Sequence, residues 1–196
     1  PLALLRENVQ NAYDAVRQRF ALTGRLAECG RIEVSVQDGQ VSIADNGIGM
    51  SEEVLRGNFW RAGSSGKRSD AAMRAGVVGT FGIGAMANFG VCSRLTVETR
   101  AEGSAEVLRS VAERDSLRIA EECITLERVV SARDVGTTVT AVLDGQCQIS
   151  PEQARQYLEP YVGLLPVPVV LNGSSISGGT FLSRPPFEGR SFATLG

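Results

Sequence analysis

Leu5, Val9, Ala12 and Val16 recur at spacings of four, three and four. A segment patterned this way buries one stripe as a helix laid against another layer. The stripe predicts a helix over 4–20, widened by Tyr13 and Phe20. Gly24 and Gly30 bracket a short connection. RIEVSV at 31–36 then alternates apolar with polar, Asp38-Gly39 is a hairpin signal, and 41–44 returns as a second strand. Ser51 caps a further helix, with Glu52 and Glu53 in its positive first turn, and 85–89 reads as the start of another. Beyond Cys92 the pattern is mostly strand, over 95–99, 105–108, 117–120, 124–130 and 137–143. Ser150-Pro151-Glu152 opens a helix to about Leu158, and Pro166 and Pro168 lead into a last strand at 169–171. A leading helix followed by many strands gives an α+β fold, a mixed, mostly antiparallel sheet with helices on one face.

Composition narrows the function. At 196 residues the chain is one large domain or at most two small ones. Its 43% apolar and 21% charged residues exclude a disordered chain. Twenty basic against 22 acidic residues, net −2, argue against a dedicated nucleic-acid or membrane-surface binder. The absence of histidine excludes Ser-His-Asp and Cys-His catalysis and any His-ligated metal within this chain. Cys29, Cys92, Cys123 and Cys147 form no C-x-x-C pair. They read as reduced core thiols of a cytoplasmic protein, not as a zinc site or disulfide framework. No apolar run approaches the ~20 residues of a membrane span, and no signal peptide is visible. A start at Pro1 that enters a helix at once reads as a trimmed domain.

Four clusters can carry chemistry. Glu7, Asn11 and Asp14 fall within about 60° of one another, opposite the apolar stripe. On the helix alone, a solvated polar face and a pocket wall stay open as readings. In the second, Glu7 is a carboxylate base and Asn11 one hard ligand of Mg²⁺ among waters and phosphates. The loop Asp45-x-Gly47-x-Gly49 follows a strand. Its glycines permit positive φ and close approach of a flat ligand, and Asp45 can accept from an exocyclic amine; a tight turn explains it equally well. Gly79-x-x-Gly82-x-Gly84 precedes a helical pattern and is neither a dinucleotide fingerprint nor a Walker loop. Backbone N–H groups there, with the helix dipole, suit a phosphate. Gly136-Thr137-Thr138 begins a strand with hydroxyls on it.

In this order, E-x-x-x-N-x-x-D-A, D-x-G-x-G, G-x-x-G-x-G and G-T, the four clusters resemble the GHKL ATPase superfamily of gyrase, the ninety-kilodalton heat-shock chaperones, histidine kinases and MutL proteins. The resemblance covers about 4–171 and implies the Bergerat ATP-binding fold, a two-layer α/β sandwich. The chaperones are the nearest in pattern. ENVQNAYDA resembles their ELISNASDA type, ADNGIGM their DTGIGM loop, and GTFGIGAMANFGV their GQFGVGFYSAFLV segment. PEQARQYLEPYVGLLPVPVVL resembles the helix and strand that close their ATP domain.

The resemblance implies a role for each matching position. Glu7 is the general base for water attack, Asn11 the Mg²⁺-binding amide, and Asp14 the acid that organises the pocket. Asp45 reads the adenine amino group, with Gly49 and Met50 beside the ring and Thr137 contacting adenine. Asn58 lies near the nucleotide, and Gly82, Ile83, Gly84 and Ala85 wrap the phosphates. Ser64 stands where the chaperones often place a lysine, with Lys67 or Arg61 as substitutes. Residues 1–172 form the ATP-binding domain with a lid at about 58–78, and 173–196 an irregular tail or the start of a linker. The implied activity is Mg²⁺-dependent ATP binding and hydrolysis, coupled through the lid to client proteins and further domains of a full-length chaperone expected to be a homodimer. The strand that precedes the first helix in chaperones, and the arginine their next domain supplies, are absent, so hydrolysis by the isolated chain is expected to be weak. A MutL- or topoisomerase-type clamp on DNA, a histidine-kinase catalytic domain and a nucleotide sensor without turnover are the alternatives.

Overall fold

The computed structural model describes residues 1–60, 88–116 and 124–178. Helix α1, Ala3–Phe20, ends against the positive φ of Gly24 after a short 3₁₀ turn. A four-residue helix α2, Leu26–Cys29, occupies what the two glycines bracketed as a connection. Strands β1, Ile32–Gln37, and β2, Gln40–Asp45, pair antiparallel. Asp38 and Gly39 both take positive φ between them, the geometry an Asp-Gly hairpin needs. Ser51 caps the short α3, Glu52–Val54, by accepting from Val54 N at 3.3 Å, and the chain continues as a wider π-type turn over Leu55–Phe59.

Strands β3, Cys92–Arg100, β4, Val107–Glu113, β5, Ile124–Val129, and β6, Gly136–Leu143, follow. The strand expected at 105–108 thus starts later and runs to Glu113, and the one expected at 117–120 lies outside the described residues. Helix α4, Pro151–Val162, opens with a full capping box between Ser150 and Gln153. It passes the expected stop at Leu158 and runs through Pro160 to Val162. Strand β7, Val169–Leu171, pairs with a two-residue strand β8, Ser174–Ser175, so some order extends into the stretch expected to be irregular.

The eight strands form one sheet in the order β5-β4-β3-β6-β2-β1-β7-β8. Among the described residues, β1 with β7 is the one parallel pair. Alternation gives the sheet an apolar face: Ile32, Val34, Val41, Ile43, Leu95, Val97, Val139 and Ala141 share one core with Leu5, Val9 and Val16 of α1 and Leu158 of α4. The helices contact each other as well as the sheet, making a two-layer α+β sandwich. The opposite face is polar. Its depression of about 410 Å³ is lined by Arg94, Thr96, Arg109 and Thr125, among others, and the arginines there pair with Glu113, Glu98 and Glu127. No described helix is long and apolar enough to cross a membrane.

Candidate functional site

Three adjacent strands bring three polar residues into one row on the core face. Asp45 at the end of β2 is the register partner of Thr137 at the start of β6, which is in turn the partner of Thr99 near the end of β3. Asp45 Oδ1 accepts from Gly47 N at 2.8 Å and Thr137 N at 3.3 Å. Among the described residues no hydrogen bond reaches Oδ2, so one carboxylate oxygen is held and the other is open to a donor. The residue keeps a partial opening to solvent. Burial nevertheless pushes its carboxyl up to about 7, against the pull of the two backbone donors and of the Arg133 and Arg19 guanidinium groups.

The adjoining loop owes its glycines to the protein itself. A Cβ on Gly47 would lie 2.6 Å from Ala15 of α1, and one on Gly49, at φ +68, would lie 2.0 Å from the Arg100 carbonyl oxygen. Gly136, at φ +140, is pressed as closely on the Asp45 carbonyl oxygen. These contacts, with the positive φ of Gly49 that the sequence suggested, give the glycines a role within the protein itself. Backbone bonds from Ile48 N to Ala15 O (3.2 Å) and from Glu102 N to Ile48 O (2.8 Å) complete the seat. Arg19 adds a bond to Asn46 O at 2.8 Å, and Asn46 joins Arg31 N to Cys29 O.

Met50, partly buried, packs against the core, and its N–H donates to Thr99 Oγ1 at 2.9 Å. The same hydroxyl lies 3.0 Å from Thr137 Oγ1 and donates to Gly136 O at 3.2 Å. Sequence reading missed Thr99, because its role comes from strand register. It missed Arg133 too, whose buried Nε has no partner among the described residues and whose charge faces Asp45, Glu98 and Asp134.

On α1 the polar face divides. Asp14 is 1% exposed and accepts from Gln10 Nε2 at 3.3 Å, so it is not part of a solvated face. Asn11 is half-buried, and its side chain makes no hydrogen bond among the described residues. Glu7 is more open and accepts from Arg6 Nη2 at 3.0 Å. The loop's seat at Ala15 brings α1 beside Asp45. An open carboxylate oxygen fits an exocyclic amine, and an uncommitted amide oxygen fits a hard cation. Asn58 sits half-buried in the π-type turn. Lys67, Gly82, Ile83, Gly84 and Ala85 lie outside the described residues, as do Arg61 and Ser64.

Comparison with known proteins gives the family. Residues 3–137 match the family model described as histidine kinase-, DNA gyrase B-, and HSP90-like ATPase. Among curated proteins, the chaperone protein HtpG of Serratia proteamaculans (strain 568) is 31% identical over 197 residues, covering 90% of this chain and 30% of its own length. HtpG of Chlorobium chlorochromatii (strain CaD3) is 30% identical, covering 95% and 32%. HtpG of Rhodococcus jostii (strain RHA1) is 31% identical, covering 81% and 25%. The chain therefore spans a quarter to a third of the length of these relatives. With the match covering most of its length and the row of Asp45, Thr137 and Thr99 beneath it, the chain belongs to the histidine kinase-, DNA gyrase B- and HSP90-like ATPase family.

Proposed function

We propose that this chain is the Mg²⁺-dependent ATP-binding domain of an HSP90-like chaperone, acting in the cytoplasm. The observation that carries the reading is the Asp45 carboxylate, fixed through Oδ1 by two backbone donors and open at Oδ2. Within the family, the similarity to relatives named chaperone protein HtpG favours the chaperone branch over the gyrase or histidine-kinase branches. Free thiols at Cys29, Cys92 and Cys147 suit a reducing compartment.

In the mechanism, Asp45 accepts from the adenine amino group while Thr137 and Met50 border the ring. Asn11 offers its amide oxygen to Mg²⁺, which when bound neutralises charge on the phosphates. Glu7 orients the attacking water and takes its proton. Asp14 holds the helix side of the pocket. On sequence, Gly82, Ile83, Gly84 and Ala85 wrap the phosphates, Asn58 and Lys67 border the nucleotide, and about 58–78 is the lid of a domain spanning 1–172. Turnover is weak in this chain alone and is completed by further domains of a homodimer, whose nucleotide state acts on client proteins.

Calorimetric titration with ADP and a non-hydrolysable ATP analogue, with and without Mg²⁺, tests the reading. Saturable binding that Asp45→Asn abolishes supports it; a parent chain that binds neither nucleotide refutes it.

A further inference from the structure

A second polar contact in the core lies away from Asp45. Asn8 of α1 is 4% exposed and Asn88 is 1% exposed. Asn8 Nδ2 donates to Leu4 O at 2.8 Å and to Asn88 Oδ1 at 3.1 Å, bridging 80 positions of sequence. Their near neighbours in sequence, Leu4, Leu5, Val9 and Phe89, all belong to the core. The backbone of Asn88 is fixed in turn: Val91 N donates to its carbonyl at 3.0 Å, and Asp144 N donates to Val91 O at 3.0 Å, just before β3 begins. The bond joins two positions far apart in sequence inside the core.

Stability alone does not account for the pair. Among the described residues Asn88 Nδ2 is buried with no partner, and a half-satisfied amide pair is a poor exchange for an apolar contact. What amides add is direction: they fix one rotation and one depth of a helix, where Leu against Ala can slide. Asn8 lies one residue after Glu7 and three before Asn11.

We propose that Asn8 and Asn88 are positioning residues whose amide pair fixes the rotation of α1 that presents Glu7 and Asn11 to the phosphate end of a bound nucleotide. This rests on the nucleotide reading above.

The test uses Asn8→Leu, Asn88→Ala and the double variant, which replaces the amides with an apolar pair. Thermal unfolding is measured beside titration with adenosine, with ADP, and with ADP plus Mg²⁺. The single variants unfold earlier, and the double regains the parent's midpoint. Adenosine affinity, set by Asp45, stays within about twofold of the parent, while Mg²⁺-ADP affinity remains about tenfold weaker in the double. Recovery of both midpoint and Mg²⁺-ADP affinity overturns the proposal. Asn88→Ser, which shortens the reach of the acceptor, must show the same Mg²⁺-ADP loss; it decides the matter should the double fail to fold. A parent that binds neither adenosine nor ADP refutes the nucleotide reading and this inference with it. A parent that binds, with variants that bind equally, overturns the positioning role alone.

Discussion

Asp45→Asn should stabilise the ligand-free protein at alkaline pH while destroying its adenine site. In the folded chain the carboxyl is raised from an ordinary 3.8 to about 7. Below about pH 4 both folded and unfolded states hold the proton, and the shift has no effect. Between there and 7 only the folded state holds it, so stability falls as pH rises. Above 7 the folded state carries the full cost of a desolvated carboxylate, at most about 4 kcal/mol at 1.36 kcal/mol per pH unit. Asparagine keeps an acceptor for the Gly47 and Thr137 N–H groups but puts a donor where Oδ2 was, which returns about 1–3 kcal/mol of the gain. A net gain of about 1–3 kcal/mol at pH 8 raises the melting temperature by roughly 2–10 °C in a chain of this size. Calorimetric melting of parent and variant at pH 5, 6, 7 and 8 measures it, and the chain has no histidine to titrate over that range. A variant less stable than the parent at pH 8, or a difference that does not change with pH, would refute the argument.

The same carboxyl makes ADP affinity pH-dependent. An amine donor favours the ionised form, so affinity should climb from pH 5 to about 7 and level off above, with proton release on binding seen by titration in two buffers. Gly49→Ala should destabilise by roughly 3–5 kcal/mol in urea unfolding, because its Cβ would sit 2.0 Å from the Arg100 carbonyl oxygen. Gly39→Ala, also at positive φ but in open space, should cost only about 1 kcal/mol. Thr99→Val should cost about 1–3 kcal/mol by stranding Met50 N, and Thr99→Ser should recover most of it. In the full-length protein Glu7→Ala should bind ATP like the parent and fail to hydrolyse it, read by titration and by phosphate release; turnover at the parent's rate would remove Glu7 as base.

Much of this arrangement is local in origin and so was readable. The stripe at Leu5, Val9, Ala12 and Val16 gives α1, and Asp38-Gly39 gives the hairpin that places Asp45 at a strand end. Burial across the other side of α1 was not readable. Asp14 sits opposite the stripe and would face water on a helix lying on one layer, yet it is buried. The extra length of β4 was obscured by Arg109 and Glu113, which break the apolar run because they point to the solvent face. Thr99 could not be singled out among the strand threonines, since only the pairing of β3 with β6 sets it against Thr137. Lone side chains such as Arg133 and Asn88 carry no periodic signal at all.

The glycine contacts bear on how the proposed adenine site would work. Gly47 is pressed on Ala15, Gly49 on Arg100 and Gly136 on the backbone of Asp45. Each fixes the loop against protein that is present before any ligand arrives. The Asp45 carboxylate is therefore preorganised, and its desolvation is carried by the folded chain whether or not nucleotide is bound. In the proposed function an amine donor meeting Oδ2 offsets that cost, so adenine recognition would draw on free energy already present in the ligand-free fold. The side proposed for the phosphates differs: among the described residues Asn11 makes no side-chain hydrogen bond and Glu7 accepts only from Arg6. Base recognition should then proceed without rearrangement around Asp45, and the ordering that accompanies binding should fall on Glu7, Asn11 and the elements that face them.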